Sequence, residues 1–212
     1  MKVSRETNLC YTPENQRKTD NKQKHMNNPK LIENLRVIPN FPKPGIMFQD
    51  ISTLFDKADC LKIMCDETVD LYKDKGITKI VGIESRGFLL PSAVAKELNA
   101  GVVMCRKPGK LPGETVQMTY EKEYGTDTVC IHTGSISEND VVLLHDDLLA
   151  TGGSMKAAYD LVKMFHPKKI YINFIIELVL KINILFHKLK TFILHNLLRV
   201  ALAPSFVPKH PG

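Results

Sequence analysis

Short apolar runs alternate with amphipathic stretches along the middle of this chain. Residues 80–83, 102–105, 141–144 and 170–176 are almost wholly apolar. Runs of this length suit strands covered on both faces. Between them, residues 59–75 have helical spacing and end at Gly76. Residues 91–98 predict a second helix, with Pro91 tolerated in its first turn. Residues 31–38 predict a short helix stopped by Pro39, followed by a loop over 39–45 stiffened by three prolines. Residues 107–127 are long, charged and rich in Gly and Pro, which predicts a mobile flap, with a strand over 128–132 leaving it. Strands alternating with helices predict an α/β fold: a parallel central sheet flanked by helices, with ligands at the carboxyl ends of the strands.

The densest chemistry follows the run at 141–144. Asp146 and Asp147 come after it, then Thr151-Gly152-Gly153-Ser154 opens a helical pattern at Met155. A strand, a turn with free backbone amides and a helix start make an anion site, because the amides point outward and the helix dipole favours negative charge. Two carboxylates would repel a phosphate, but they suit sugar hydroxyls and a hydrated magnesium ion beside it. The stretch therefore asks for a phosphorylated ribose. It lacks the Gly-x4-Gly-Lys-Ser/Thr pattern of a P-loop and the three spaced glycines of a Rossmann turn.

Composition adds limits. The 212 residues suit one domain with a sizeable core, and 43% hydrophobic with 25% charged residues is ordinary for a globular protein. The net charge of +6 resides at the ends: residues 1–30 carry seven Lys/Arg against three Asp/Glu, and residues 168–212 carry seven against one. The body between them is mildly acidic, so no nucleic-acid partner is expected. Five cysteines without a Cys-x-x-Cys pair predict neither a disulfide framework nor a zinc site, and fit a reducing cytoplasm. No apolar leader opens the sequence, and charges interrupt the apolar residues 170–200, so neither a secretory signal nor a membrane span is expected. Residues 1–28 are polar and aperiodic and predict a disordered extension.

Four segments, in order and at suitable spacing over residues 31–178, resemble the adenine phosphoribosyltransferases, a branch of the type I phosphoribosyltransferases. Phe41-Pro42-Lys43-Pro44-Gly45-Ile46-Met47-Phe48-Gln49-Asp50-Ile51 looks like the family's segment over the base. Glu84-Ser85-Arg86-Gly87-Phe88 looks like its pyrophosphate loop. Arg106-Lys107-Pro108-Gly109-Lys110-Leu111-Pro112-Gly113, with Tyr120-Glu121-Lys122-Glu123-Tyr124-Gly125, looks like its flexible loop. The stretch 141–154 completes the set. The resemblance implies a small N-terminal hood and a flexible flap on the sheet, with a domain over residues 29–178 and an atypical basic, apolar segment over 179–212. It implies transfer of a 5-phosphoribosyl group from phosphoribosyl pyrophosphate to adenine, giving AMP and pyrophosphate. Mg2+ would enter mainly on phosphoribosyl pyrophosphate, no metal site of the protein's own is expected, and a cytoplasmic homodimer is implied.

The resemblance also assigns roles. Ala150, Thr151, Gly152, Gly153 and Ser154 would wrap the 5-phosphate, and Asp146 and Asp147 would hold the ribose hydroxyls. Ser85, Arg86 and Gly87 would meet the pyrophosphate, the guanidinium fork of Arg86 matching phosphate oxygens. Arg106, Lys107 and Lys110 would add charge when the flap closes. Glu123 would exchange a proton with the base, with Tyr124 beside it. Met47, Phe48 and Gln49 would lie near the base, Phe48 either stacking on it or plugging the core. Expected readings of a different kind are transfer to another purine and a non-catalytic AMP-binding protein of the same fold.

Several positions depart from the family pattern. Gln49 stands where arginine is usual, Ser154 replaces threonine, and His166-Pro167 replaces a small turn. His145 precedes the acids where a small apolar residue is usual, and predicts a pocket-wall histidine rather than a base. From Leu178 the match fades into a basic amphipathic run.

Overall fold

A computed structural model describes residues 28–122, 125–149 and 151–177. The expectations for the N-terminal extension and for residues 179–212 fall outside these residues, apart from Asn28.

Four parallel strands form the central sheet in the order β4-β3-β7-β8: β3 (Lys79–Ile83), β4 (Gly101–Cys105), β7 (Val141–Leu149) and β8 (Lys169–Glu177). Neighbouring residues on each strand feed opposite faces, as the period of two requires. Val81, Leu144 and Ile172 pack on one side with Met155, Ala158, Leu161 and Val162 of α5 (Gly153–Lys163). Ile80, Leu143 and Ile175 pack on the other with Met64 and Tyr72 of α3 (Ala58–Tyr72) and Val94 and Ala95 of α4 (Pro91–Leu98). With both faces covered, the strands need apolar residues at nearly every position, which is why they read as continuous runs. Removing a side chain such as Leu144 or Ile172, each 0% exposed, would cost about 2–5 kcal/mol.

Ahead of the sheet, α1 (Pro29–Asn34) leads into an antiparallel hairpin of β1 (Arg36–Pro39) and β2 (Met47–Asp50), followed by the short α2 (Ser52–Phe55). The expected helix over 31–38 is thus corrected. It stops at Asn34, and the β-branched Val37 and Ile38 enter a strand opposite Gln49 and Phe48. The proline-rich loop is the hairpin connection.

The segment expected as a flap, with a strand only over 128–132, contains two strands. β5 (Thr115–Lys122) and β6 (Gly125–His132) pair antiparallel along their full length. Val116, Met118 and Tyr120 pack on the α5-side core. Thr115, Gln117 and Thr119 alternate with them, a period of two that was present in the sequence but obscured by the glycines and prolines at 108–113. Mutual backbone bonds between Arg106 and Cys130 (2.9 and 2.7 Å) fasten this hairpin to the end of β4.

Candidate active site

The two middle strands position the site. β3 and β7 pair as far as Gly82 and His145, and then β3 turns into the loop at Glu84. β7 continues to Leu149, so Asp146 and Asp147 lie within the strand rather than after it. They still lie past the last β3 pairing, where the departed neighbour leaves their side of the strand open to the loop.

That loop packs very tightly. A Cβ on Gly82 would lie 2.6 Å from the Gly87 carbonyl oxygen, and one on Gly87 would lie 2.9 Å from Asp146 Oδ1. Both positions need glycine: the loop folds back so that its own backbone rests on Gly82 of β3, and at Gly87 it lies against the His145 carbonyl and Asp146 of β7. The Glu84–Ser85 peptide is cis, and Arg86–Phe88 forms a single 3-10 turn in which the Phe88 N–H donates to the Ser85 carbonyl (3.2 Å).

Arg86 Nε then lies 2.5 Å from Asp147 Oδ2, whose side chain is only 6% exposed. This is a charge contact without hydrogen-bond directionality, since Oδ2 has no hydrogen-bond partner. Asp146 Oδ1 accepts from the Asp147 N–H (2.9 Å). Burial, and then the neighbouring Asp147, push the Asp146 carboxyl well above the usual carboxylate range. The two acids therefore differ in setting: Asp147 is paired with a cation, while burial and the adjacent Asp147 disfavour the charged form of Asp146.

Gly152, at φ 82°, precedes α5, and no side chain caps the helix. Its first amides are left for an acceptor from outside the helix. Thr151 is exposed beside them. The Ser154 hydroxyl is bonded instead to the Tyr120 hydroxyl (3.0 Å), and the Tyr120 ring lies 3.7 Å from where a Gly153 Cβ would be. The flap hairpin thus leans on the Gly153-Ser154 helix start through Tyr120, a residue the sequence reading did not single out.

The cations at the flap base are paired with acids. Glu84 accepts from Arg106 Nε (3.3 Å) and Nη2 (3.2 Å), from the Lys107 N–H (3.1 Å) and from Lys110 Nζ (2.5 Å). The Arg106 contact first, then Lys110, hold the Glu84 carboxyl down to about 2. Lys107 Nζ pairs with Asp127 (3.2 Å). Glu84 is a second residue missed as a participant, because its partners lie over 20 positions away. Gly82 is a third, and its signal was available: a glycine inside an apolar strand marks a close approach of backbone.

On the hood, Phe48 meets Phe41 edge-to-face (centroids 5.1 Å, 72°), and the Arg86 guanidinium lies 6.0 Å from the Phe48 ring centre. Met47 is half-exposed, and Gln49 is opposite Val37 in the hairpin. The structure so brings Phe48, Ser85, Arg86, Gly87, Asp146 and Asp147 to one end of the sheet. Glu123, Tyr124 and Ala150 lie outside the described residues. His145, expected in the pocket wall, is instead buried in the core, and burial pushes its imidazole down to about 3. Among the described residues, no group of three or more His, Cys, Asp or Glu side chains is placed to hold a metal ion.

A parallel sheet, an acid pair at its carboxyl end, an uncapped Gly-Gly helix start and a clamped loop on the adjacent strand define a phosphoribosyl-transferring class of protein. The family model for the phosphoribosyl transferase domain matches residues 53–178, and the chain belongs to this family. Its branch is that of the adenine phosphoribosyltransferases. The chain is 60% identical over 153 residues to the adenine phosphoribosyltransferase of Bacteroides fragilis, covering 72% of this chain and 86% of the relative. It is 63% identical over 148 residues to that of Phocaeicola vulgatus, covering 70% and 85%. The crystal structure of the Giardia lamblia enzyme complexed with 9-deazaadenine superposes with a TM-score of 0.72 at 36% identity, covering 84% of this chain and 98% of that one.

Proposed function

We infer that this chain transfers the 5-phosphoribosyl group of phosphoribosyl pyrophosphate to adenine, releasing AMP and pyrophosphate. The observation that supports the reading is the Arg86–Asp147 contact across adjacent strands: a guanidinium suited to phosphate oxygens beside an acid suited to sugar hydroxyls. In this reaction the base nitrogen forms a bond to the anomeric carbon, the carbon–oxygen bond to pyrophosphate breaks, and the base loses its proton. Positive charge builds on the sugar and negative charge on the leaving group. Asp147 would accept from ribose hydroxyls and favour the cationic sugar, while Arg86 would turn to the leaving pyrophosphate. The α5 amides with Thr151 would hold the 5-phosphate. Glu123 would receive the base proton. Arg106, Lys107 and Lys110 would neutralise the pyrophosphate, and the hairpin over the site would exclude water.

Magnesium fits as a substrate-borne ion. The site offers two adjacent carboxyls, one of them paired with Arg86, so the diphosphate would supply most of the ligands. Bound there, the ion would neutralise the departing charge.

Two further readings concern the setting. A homodimer is supported by the edge strand β4, which exposes Val102 and Met104, with Leu89 also exposed. A reducing, cytosolic setting fits Cys60, Cys65, Cys105 and Cys130, all free thiols. Among the described residues, no helix is long and apolar enough to cross a membrane.

The test is a coupled assay of purified protein with adenine, phosphoribosyl pyrophosphate and Mg2+. AMP and pyrophosphate should form in equal amounts. Turnover with hypoxanthine or guanine but not adenine would replace this reading with transfer to another purine, and binding of AMP without turnover would replace it with a non-catalytic role.

A further inference from the structure

We propose that Glu84 is a positioning residue that clamps Arg106 and Lys110 at the base of the flap and presents them as one unit to the pyrophosphate. The proposal rests on the functional reading above and adds a residue to it. Both carboxylate oxygens of Glu84 are engaged. Oε1 takes Arg106 Nη2 and Lys110 Nζ, and Oε2 takes Arg106 Nε and the Lys107 N–H. Arg106 Nη1 in turn donates to the Lys110 carbonyl (3.0 Å), closing residues 106–110 into a compact turn. The acid side chain is 11% exposed, and Arg106 is 28% exposed.

Two cations against one acid leave a surplus of one positive charge. Glu84 immediately precedes Ser85 and Arg86, so that charge is tied to the loop expected to meet pyrophosphate. Without the carboxylate, Arg106 and Lys110 would repel each other and their long side chains would disperse. Ordering them in advance lowers the entropy cost of engaging a diphosphate. The effect therefore falls on phosphoribosyl pyrophosphate and not on the base.

The experiment is steady-state kinetics of Glu84→Gln, with each substrate varied in turn. The KM for phosphoribosyl pyrophosphate should rise about tenfold, while kcat and the KM for adenine stay within about twofold. Lys110→Met should raise the same KM, and adding it to Glu84→Gln should raise it little further, since the two act as one unit. A KM that is unchanged or lower in Glu84→Gln, or fully additive effects, overturns the proposal. Hydrogen exchange at the Lys107 amide should quicken in Glu84→Gln without any substrate, and an unchanged rate also overturns it. That readout stands apart from turnover: a parent protein that transfers nothing to adenine would sink the functional reading, while the exchange result would still judge the clamp. Should Glu84→Gln not fold, Glu84→Asp, with its shorter reach, is expected to show the same KM rise and faster exchange, and their absence counts against the clamp.

Discussion

His145 and Asn173 face each other in register on β7 and β8, both buried, with the Asn173 amide donating to His145 Nδ1 at 2.9 Å. With the amide nitrogen turned to Nδ1, the contact suits the tautomer that carries its proton on Nε2. Nε2 and Asn173 Oδ1 have no hydrogen-bond partner among the described residues. His145 is thus a neutral, inward-facing core residue two positions from Asp147.

Breaking this pair from one side should cost stability. His145→Val strands the Asn173 amide and should lose about 1–3 kcal/mol in denaturant unfolding. Replacing both, His145→Val with Asn173→Val, should recover most of it, because no buried polar group is then left over. A double variant weaker than the sum of the singles would refute this account.

The same histidine sets an acid-side slope. Its folded value is about 3 against an ordinary 6.5, so between those limits the unfolded chain holds the extra proton. Stability is then fully present above about pH 6.5 and falls as pH drops, by up to about 1.4 kcal/mol per pH unit. Glu84, held down to about 2 from 4.5, adds a loss of the same sign only at lower pH. Asp146, pushed upward, acts in the opposite direction. The difference between the parent and His145→Val isolates the histidine. Equal slopes in both between about pH 4.5 and 6.5 would contradict the assignment.

Gly82→Ala should displace the loop that carries Arg86. The new Cβ would meet the Gly87 carbonyl at 2.6 Å, Phe88 Cδ1 at 3.1 Å and Pro91 Cγ at 3.2 Å. The carbonyl is backbone and cannot swing aside, so a loss of about 1–3 kcal/mol in stability and a weakened use of phosphoribosyl pyrophosphate are expected. Calorimetry and kinetics at varied phosphoribosyl pyrophosphate measure both, and a variant unchanged in each would show that the loop yields.

Asp147→Asn keeps the size and removes the charge facing Arg86. The lost charged acceptor should slow turnover about ten- to hundredfold, corresponding to about 1.5–3 kcal/mol. The loss should appear in kcat/KM for phosphoribosyl pyrophosphate. Glu123→Gln should instead slow transfer while ribose phosphate binding survives. Parental rates in both, with the fold intact, would remove these residues from the mechanism.

The sequence by itself determined the alternation of elements and the chemistry of 141–154. The apolar runs at 80–83 and 141–144 are continuous because both faces of the sheet are covered, and local composition records that directly. The four motifs likewise carried the family. Tertiary structure alone decided which charges meet. Arg86 faces Asp147 only because β3 and β7 are neighbours, and Glu84 reaches Arg106 and Lys110 only because the end of β4 lies beside β3. Residues 36–39 became a strand only because residues 47–50 return to pair with them. The flap became a hairpin because Val116, Met118 and Tyr120 found the core beneath α5. Such pairings join residues far apart in the chain, and the energy that selects them comes from surfaces no local window contains.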